Sequence, residues 1–317
     1  MKVTVSTIAE LEAALQREEE LEVQILPGDY VWDGRTKDFA DVQNKQIRGS
    51  ESGRVRFIGE TTFSRGSNLL FDNILFRAPI DGATSLSSYD CLSLLSCQDV
   101  DVVRCSIIGG ADEAFSATGS QNIRVMDCFV GGCFYADGHS HAMLVICDNF
   151  LLLRSVLTAC YRRLPQIGEF LDPESVSNVL FNRIACGNTM SLGVKSSNGQ
   201  FVHVVGNHFH RTPKTKTNPY LSEVMAPNGS LGLSQVYFEQ NIVTGASEAM
   251  IDLVTNEEFI ERATVPRDGL VLARGLSTPA ISEAGPLVKD NWHTFLLSHY
   301  GNGKVWFSEQ DAGFPSL

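Results

Sequence analysis

The chain has 317 residues, 43% of them hydrophobic and 20% charged, with 37 acidic against 25 basic residues and a formal net charge of -12. That length supports one large domain or two ordinary ones, and the composition is that of a soluble globular chain rather than a disordered one. The acidity argues against a nucleic-acid partner while leaving room for a local basic patch, and no apolar run reaches the length of a membrane span.

From the N-terminus, "MKVTVSTIAELEAAL" lacks the apolar core and cleavage site of a signal peptide. An intracellular protein fits this, and so does a secreted one whose leader has been removed. Residues 7–16, "TIAELEAALQ", open with Thr7 and Glu10 in capping-box spacing and carry Ile8, Leu11 and Leu15 on one face. They predict a short amphipathic helix that plugs the first coil of a solenoid, inside a cap spanning residues 1–25. "VQILPGDYVW" then begins strand structure.

Seven segments align without gaps: "NLLFDNILF" from Asn68, "DVDVVRCSI" from Asp99, "NIRVMDCFV" from Asn122, "NFLLLRSVL" from Asn149, "NVLFNRIAC" from Asn178, "FVHVVGNHF" from Phe201 and "QVYFEQNIV" from Gln235. The second position is always apolar (Leu69, Val100, Ile123, Phe150, Val179, Val202, Val236). So is the fourth (Phe71, Val102, Val125, Leu152, Phe181, Val204, Phe238). Alternation with period two marks strands with one buried face. Successive segments start 31, 23, 27, 29, 23 and 34 residues apart, with little helical pattern between them. A right-handed parallel β-helix fits best: an all-β, single-stranded solenoid whose coils cover each other's backbone groups. One domain over 1–317 is expected, with clear coils over 55–245. Residues 246–317 are expected to pack along the solenoid's side, with a short helix at "TNEEFIERA".

The seventh position reads Ile74, Cys105, Cys128, Ser155, Ile184, Asn207, Asn241. Equal positions stack in a solenoid, so small polar and thiol side chains here predict an internal ladder at a turn. This accounts for part of the cysteine usage. The eight cysteines fall at 91, 97, 105, 128, 133, 147, 160 and 186, and none has the C-x-x-C spacing of a zinc ribbon. Cys105 and Cys128 are expected to be structural free thiols. The histidines of "FVHVVGNHFH" are expected to face outward.

The stretch from Tyr89 to Phe209 resembles the pectate lyase superfamily of polysaccharide lyases. The pieces that carry the resemblance are "YDCLSLLSCQDVDVVRCSI", "DEAFSATGSQNIRVMDCF", "HAMLV", "RRLP" and "SNGQFVHVVGNHFHRTP", in that order. The resemblance implies a parallel β-helix and β-elimination on polygalacturonate with calcium. Asp90 takes the place of the first calcium-binding acid and Asp112 that of the second. The third falls on Ser116, a departure. The substrate-binding lysine falls on His141, also a departure. Arg163, followed by Leu164-Pro165, matches the catalytic arginine, and Gly168 stands where a further arginine is usual.

Elimination from a uronate needs a group that neutralises the carboxylate, a base for the neighbouring proton, and a proton for the leaving oxygen. Calcium suits the first role because it takes hard oxygen ligands. With Ser116 in place of a carboxylate the site is weakened, and is completed by substrate or by Glu113. Arginine stays protonated in most settings, so Arg163 can also act by stabilising the developing enolate. Arg162 can bind a second sugar carboxylate. His141 can pair with a carboxylate or move a proton near neutral pH. His139, two residues away on a strand, would face the same way, which permits a transition-metal site.

The expected partner is an acidic, polygalacturonate-like polysaccharide, with no nucleic acid and no membrane, and the expected state is a monomer. Pectin degradation would place the protein outside the cell or in the periplasm. Two alternatives stand beside this reading: a glycoside hydrolase on the same fold, which lacks an evident carboxylate pair here, and a carbohydrate-binding or spike protein that lost activity.

Overall fold

A computed structural model describes residues 1–77, 89–131, 133, 141–158, 160, 163–168, 175–180, 182–186, 191–197, 201–211, 220–224, 235–239 and 242–244. His139, Arg162, Asn241 and the segment 246–317 with its expected helix lie outside the described residues.

The strand pairings are all parallel and resolve into three ladders. The first stacks Lys2–Val5, Leu21–Ile25, Gln43–Gly49, Ser67–Asp72 and Gln98–Val103. It continues through the second halves of Glu113–Met126 and His141–Leu153, then Val176–Leu180, Phe201–Val205 and Gln235–Glu239. The second runs from the start of Gly28–Ala40 and of Val55–Ser64 through Leu75–Arg77, Ser106–Ile108, Phe129–Gly131 and Val156–Thr158 to Arg183–Cys186, His208–Arg211 and Ile242–Thr244. The third joins the ends of the two long N-terminal strands to Leu92–Leu95, Phe115–Thr118, Leu144–Ile146, Gln166–Gly168, Ser191–Ser197 and Tyr220–Val224. A chain that visits three parallel ladders in turn is a parallel β-helix. No described helix is long and apolar enough to cross a membrane.

Corners between ladders are made by single residues in the left-handed region. Asn44, Asn68, Asp99, Asn122 and Asn149, at the start of the repeat, have φ between 52° and 55°. Asn and Asp tolerate this region best among residues with a side chain. At a second corner stand Asn73, Arg104, Asp127 and Arg154. The two arginines there are anchored one coil back, Arg104 on Asp72 and Arg154 on Asp127.

The interior follows the alternation. Phe71, Val102, Val125, Leu152, Val179 and Val204 form one column and are fully buried. The open N-terminal end is closed by the helix Ile8–Leu15. Its capping box is complete: Thr7 Oγ1 accepts from Glu10 N at 3.2 Å, and Glu10 Oε2 accepts from Thr7 N at 3.1 Å. Leu11, Ala14 and Leu15 cover the first coil's apolar interior.

The internal ladder exists and is longer than the sequence alignment implied. Cys105 N donates to Cys128 Sγ at 3.4 Å, Cys128 N to Ser155 Oγ at 3.1 Å, Ser155 N to Asn182 Oδ1 at 2.7 Å, and Asn182 N to Asn207 Oδ1 at 2.8 Å. Each side chain therefore satisfies the corner N–H of the coil before it, which no strand partner reaches. Cys105 and Cys128 are buried free thiols. The fifth segment needs correction. Val176 pairs with Phe201, and Leu152 with Val179, so the coil begins at Val176 rather than Asn178. Its interior positions are Ser177 and Val179, and its ladder residue is Asn182, not Ile184. The buried Ser177, fully enclosed at a position apolar in the other segments, hid the register.

The expectation that His203 is exposed also fails. Alternation does turn it outward, in one column with Asp101 and Arg124. Yet it is 3% exposed, and Leu151 and Asn178 in the same column are 0% exposed. The outer face of the ladder is thus covered at the coils of Leu151, Asn178 and His203.

Asn182 donates from Nδ2 to Leu152 O and Asn207 Oδ1, both at 3.0 Å, besides accepting from Ser155 N. Asn182→Ala is expected to lower unfolding free energy by about 2–4 kcal/mol, because buried partners lose their bonds at about 1–3 kcal/mol each. Denaturant titration of parent and variant measures this. A loss below about 1 kcal/mol would show that water replaces the amide.

Candidate functional site

The site is a column. The strand register places His141 beside Glu113, and the pairing of Leu144 with Gln166 carries three residues back to His141 beside Arg163. Likewise Phe115 pairs with Leu92, which sets Glu113 beside Asp90. Asp90, Glu113, His141 and Arg163 thus occupy one position in four successive coils, where each coil enters the third ladder. Backbone bonds hold them there: Cys91 N to Glu113 O at 3.1 Å, His141 N to Asp112 O at 2.6 Å, and Met143 N to Arg163 O at 2.9 Å.

Three residues further along, Ser93 and Ser116 form a parallel column. Ser116 Oγ donates to Asp90 Oδ2 at 2.5 Å, Ser93 Oγ donates to the same oxygen at 2.9 Å, and Glu113 N donates to Asp90 Oδ1 at 3.1 Å. Burial pushes the Asp90 carboxyl up to about 6; the two serine bonds and Arg163 oppose this, while Asp112 adds to it. In the preceding coil, at the position beside Cys91, Glu60 is also raised by burial, with Asp90 as a further repelling charge. Thr36 Oγ1 donates to its Oε2 at 3.1 Å.

Arg163 forms an ion pair through Nη1 with Glu113 Oε1. Burial lowers its pKa, and the Asp112 and Asp90 carboxylates push it back up. Its φ of 57° lies in the left-handed region, a strained state for arginine that the surrounding structure must hold. His141 Nδ1 lies 3.3 Å from Asp112 Oδ1 and 3.4 Å from Glu113 Oε1. The side chains of Glu113 and His141 are 3% and 5% exposed, whereas Asp112 is 25% and Arg163 26% exposed. Among the described residues, Asp112, Glu113 and His141 form a group whose ligand atoms lie within 4.8 Å of one another, close enough to hold a metal ion.

Of the residues singled out in the sequence, Asp90, Asp112, Ser116, His141 and Arg163 come together here. His139 and Arg162 lie outside the described residues. Glu113 was named only as a stand-in ligand, and Ser93 and Glu60 were not named. A signal for Glu113 was present: it stands nine residues before Asn122, as Asp90 stands nine before Asp99. The rung-mate of Asp90 is therefore Glu113, with Asp112 beside it. In the next coil the offset is eight, because a bulge between Thr118 and Ser120 adds a residue to the strand containing Glu113.

No protein-family model matches the chain, and no curated protein matches it significantly. Solved structures do match. An arginine-to-lysine variant of the Bacillus subtilis pectate lyase superposes at TM-score 0.56 and 11% identity, over 96% of this chain and 92% of that one. A thermostable pectate lyase gives 0.56 and 12%, over 95% and 92%. The fold is that of the pectate lyases. The pectin methylesterase of Aspergillus niger shares it at TM-score 0.51 and 8% identity, over 91% and 92%. At such identities the likeness is one of fold alone. The same pectate lyase fold therefore carries both an eliminating and a de-esterifying enzyme, and the site must decide the chemistry.

The donor set fits calcium poorly. Calcium takes six to eight oxygens. Both oxygens of Asp90 are engaged by Ser116, Ser93 and the Glu113 N–H, and the metal-capable group includes an imidazole nitrogen.

A carboxyl raised from its unfolded value near 4 to about 6 binds its proton more tightly in the folded state. Its contribution to stability is thus full below about pH 4 and is lost as pH rises through about 6. With chelator present, Asp90→Asn is expected to flatten that part of the stability profile. Denaturant melts across this range check it, and equal slopes for parent and variant would place Asp90 at an ordinary pKa.

Proposed function

We propose that the protein is a polysaccharide lyase that cleaves pectate or a related uronate polymer by β-elimination, with Arg163 as the catalytic residue. The observation that supports this most is the column itself, in which a partly exposed arginine stands at the end of three titratable groups, two of them buried. The pectate lyase resemblance of the motifs around Asp90, Asp112 and "RRLP" points the same way. Elimination removes the proton beside the uronate carboxylate and expels the glycosidic oxygen at the next carbon. Burial moves Arg163 toward proton acceptance, the direction a base requires, and its planar donors suit a carboxylate turning into an enolate. The Glu113 carboxylate positions the guanidinium. Asp90, with its raised pKa, supplies a proton near the leaving oxygen below about pH 6. No step is assigned to calcium. A pectin substrate implies a protein that works outside the cell.

One observation favours a second reading, a carbohydrate-binding protein without activity: Glu113 occupies the arginine that elimination needs.

Arg163→Lys keeps the charge and loses the fork, so turnover is expected to fall by about 100-fold or more while retention on polygalacturonate persists. Arg162→Lys is expected to change turnover only a few-fold. The ultraviolet absorbance of unsaturated uronate products tracks both variants, with thermal melts to establish folding. Absence of such products from the parent, or full activity in Arg163→Lys, rejects the lyase reading.

A further inference from the structure

We propose that Asp112, Glu113 and His141 bind a divalent transition metal of borderline softness, for which zinc is the probe, in preference to calcium. The geometry carries this. Metal–nitrogen and metal–oxygen bonds of about 2.0 Å set the edge of a tetrahedron at about 3.3 Å. The imidazole Nδ1 stands 3.3 Å and 3.4 Å from one oxygen of each carboxylate, and the three ligand atoms form one compact group. Two of the three side chains are almost wholly buried, so the array is fixed by the coil stacking and not by mobile surface chains. Imidazole selects zinc, nickel or copper over calcium, which prefers oxygen alone.

The electrostatics ask for a cation. Glu60, Asp90, Asp112 and Glu113 crowd one end of the column, against Arg163 and the imidazole of His141. An anionic polymer would be repelled by that face without further positive charge. Three protein ligands leave a fourth position open, which a carboxylate oxygen of an acidic sugar can take. Glu113 Oε1 now pairs with Arg163. A metal on Glu113 competes for that oxygen and releases the guanidinium toward the exposed side.

Only the suggested fourth ligand draws on the lyase reading; the three-residue metal site rests on its own geometry, so the two fail separately. Calorimetric titration of the full chain with zinc and with calcium, in a non-chelating buffer, is expected to give one zinc per chain, bound at least tenfold tighter than calcium. Cobalt(II) in place of zinc is expected to give visible bands of a nitrogen–oxygen site without thiolate charge transfer, which separates it from the protein's cysteines. His141→Ala and Asp112→Asn are each expected to weaken zinc at least tenfold; Asp112, partly exposed, tests the site even if the histidine variant does not fold. Tighter calcium than zinc, thiolate bands with cobalt, or unchanged zinc affinity in Asp112→Asn overturns the proposal. So does the absence of zinc binding.

Discussion

Parallel pairing of each coil on the next is the constraint on which everything else in this molecule depends. Because every strand donates and accepts along the solenoid axis, a residue's neighbours are those at the same position one coil away. Interior columns then read Phe71, Val102, Val125, Leu152, Val179, Val204. Corner columns read Asn68, Asp99, Asn122, Asn149, with Asn122 Nδ2 on Asp99 Oδ1 and Asn149 Nδ2 on Asn122 Oδ1. The same rule that stacks apolar side chains inside stacks Asp90, Glu113, His141 and Arg163 at the rim.

Stacking has an electrostatic consequence. Coils lie about 4.8 Å apart, so like charges in one column cannot both be buried at no cost. Asp90 meets this by a raised pKa and by two serine hydroxyls, and Glu113 by its ion pair with Arg163. Elsewhere on the surface the repeated solution is an acid in one coil and an arginine in the next, as in Asp101 with Arg124 and Asp127 with Arg154. The difference at the rim column is that Glu113 and His141 are buried and that Asp90 and Arg163 are shifted by burial and by neighbouring charges, the kind of perturbation that marks a candidate site.

The pectate lyase fold imposes little chemistry of its own. A pectate lyase and a pectin methylesterase share it with this chain. What distinguishes this chain is the content of one column and its flank. Ser116 supplies a hydroxyl that donates to Asp90, and His141 supplies an imidazole held against two carboxylates. The imidazole nitrogen makes the ligand group one of mixed nitrogen and oxygen.

The sequence by itself determined the solenoid, the capping helix and the internal ladder, because these rest on local periodicity, a local capping box and a repeated residue type. It also brought Asp90, Asp112, Ser116, His141 and Arg163 forward through motif order. Registers that depended on single positions were less legible. Ser177 at an interior position and the bulge at Gly119 each shift the alignment, and both become visible only in the pairing of coils. The covering of His203 was likewise invisible, since alternation gives a side chain's direction and not what lies over it. Only the tertiary structure decided that Glu113 is the rung-mate of Asp90, that it holds Arg163, and that His141 faces both acids. Those relations join residues 23 to 50 positions apart, and they are set by how many residues each coil takes to return to the same corner.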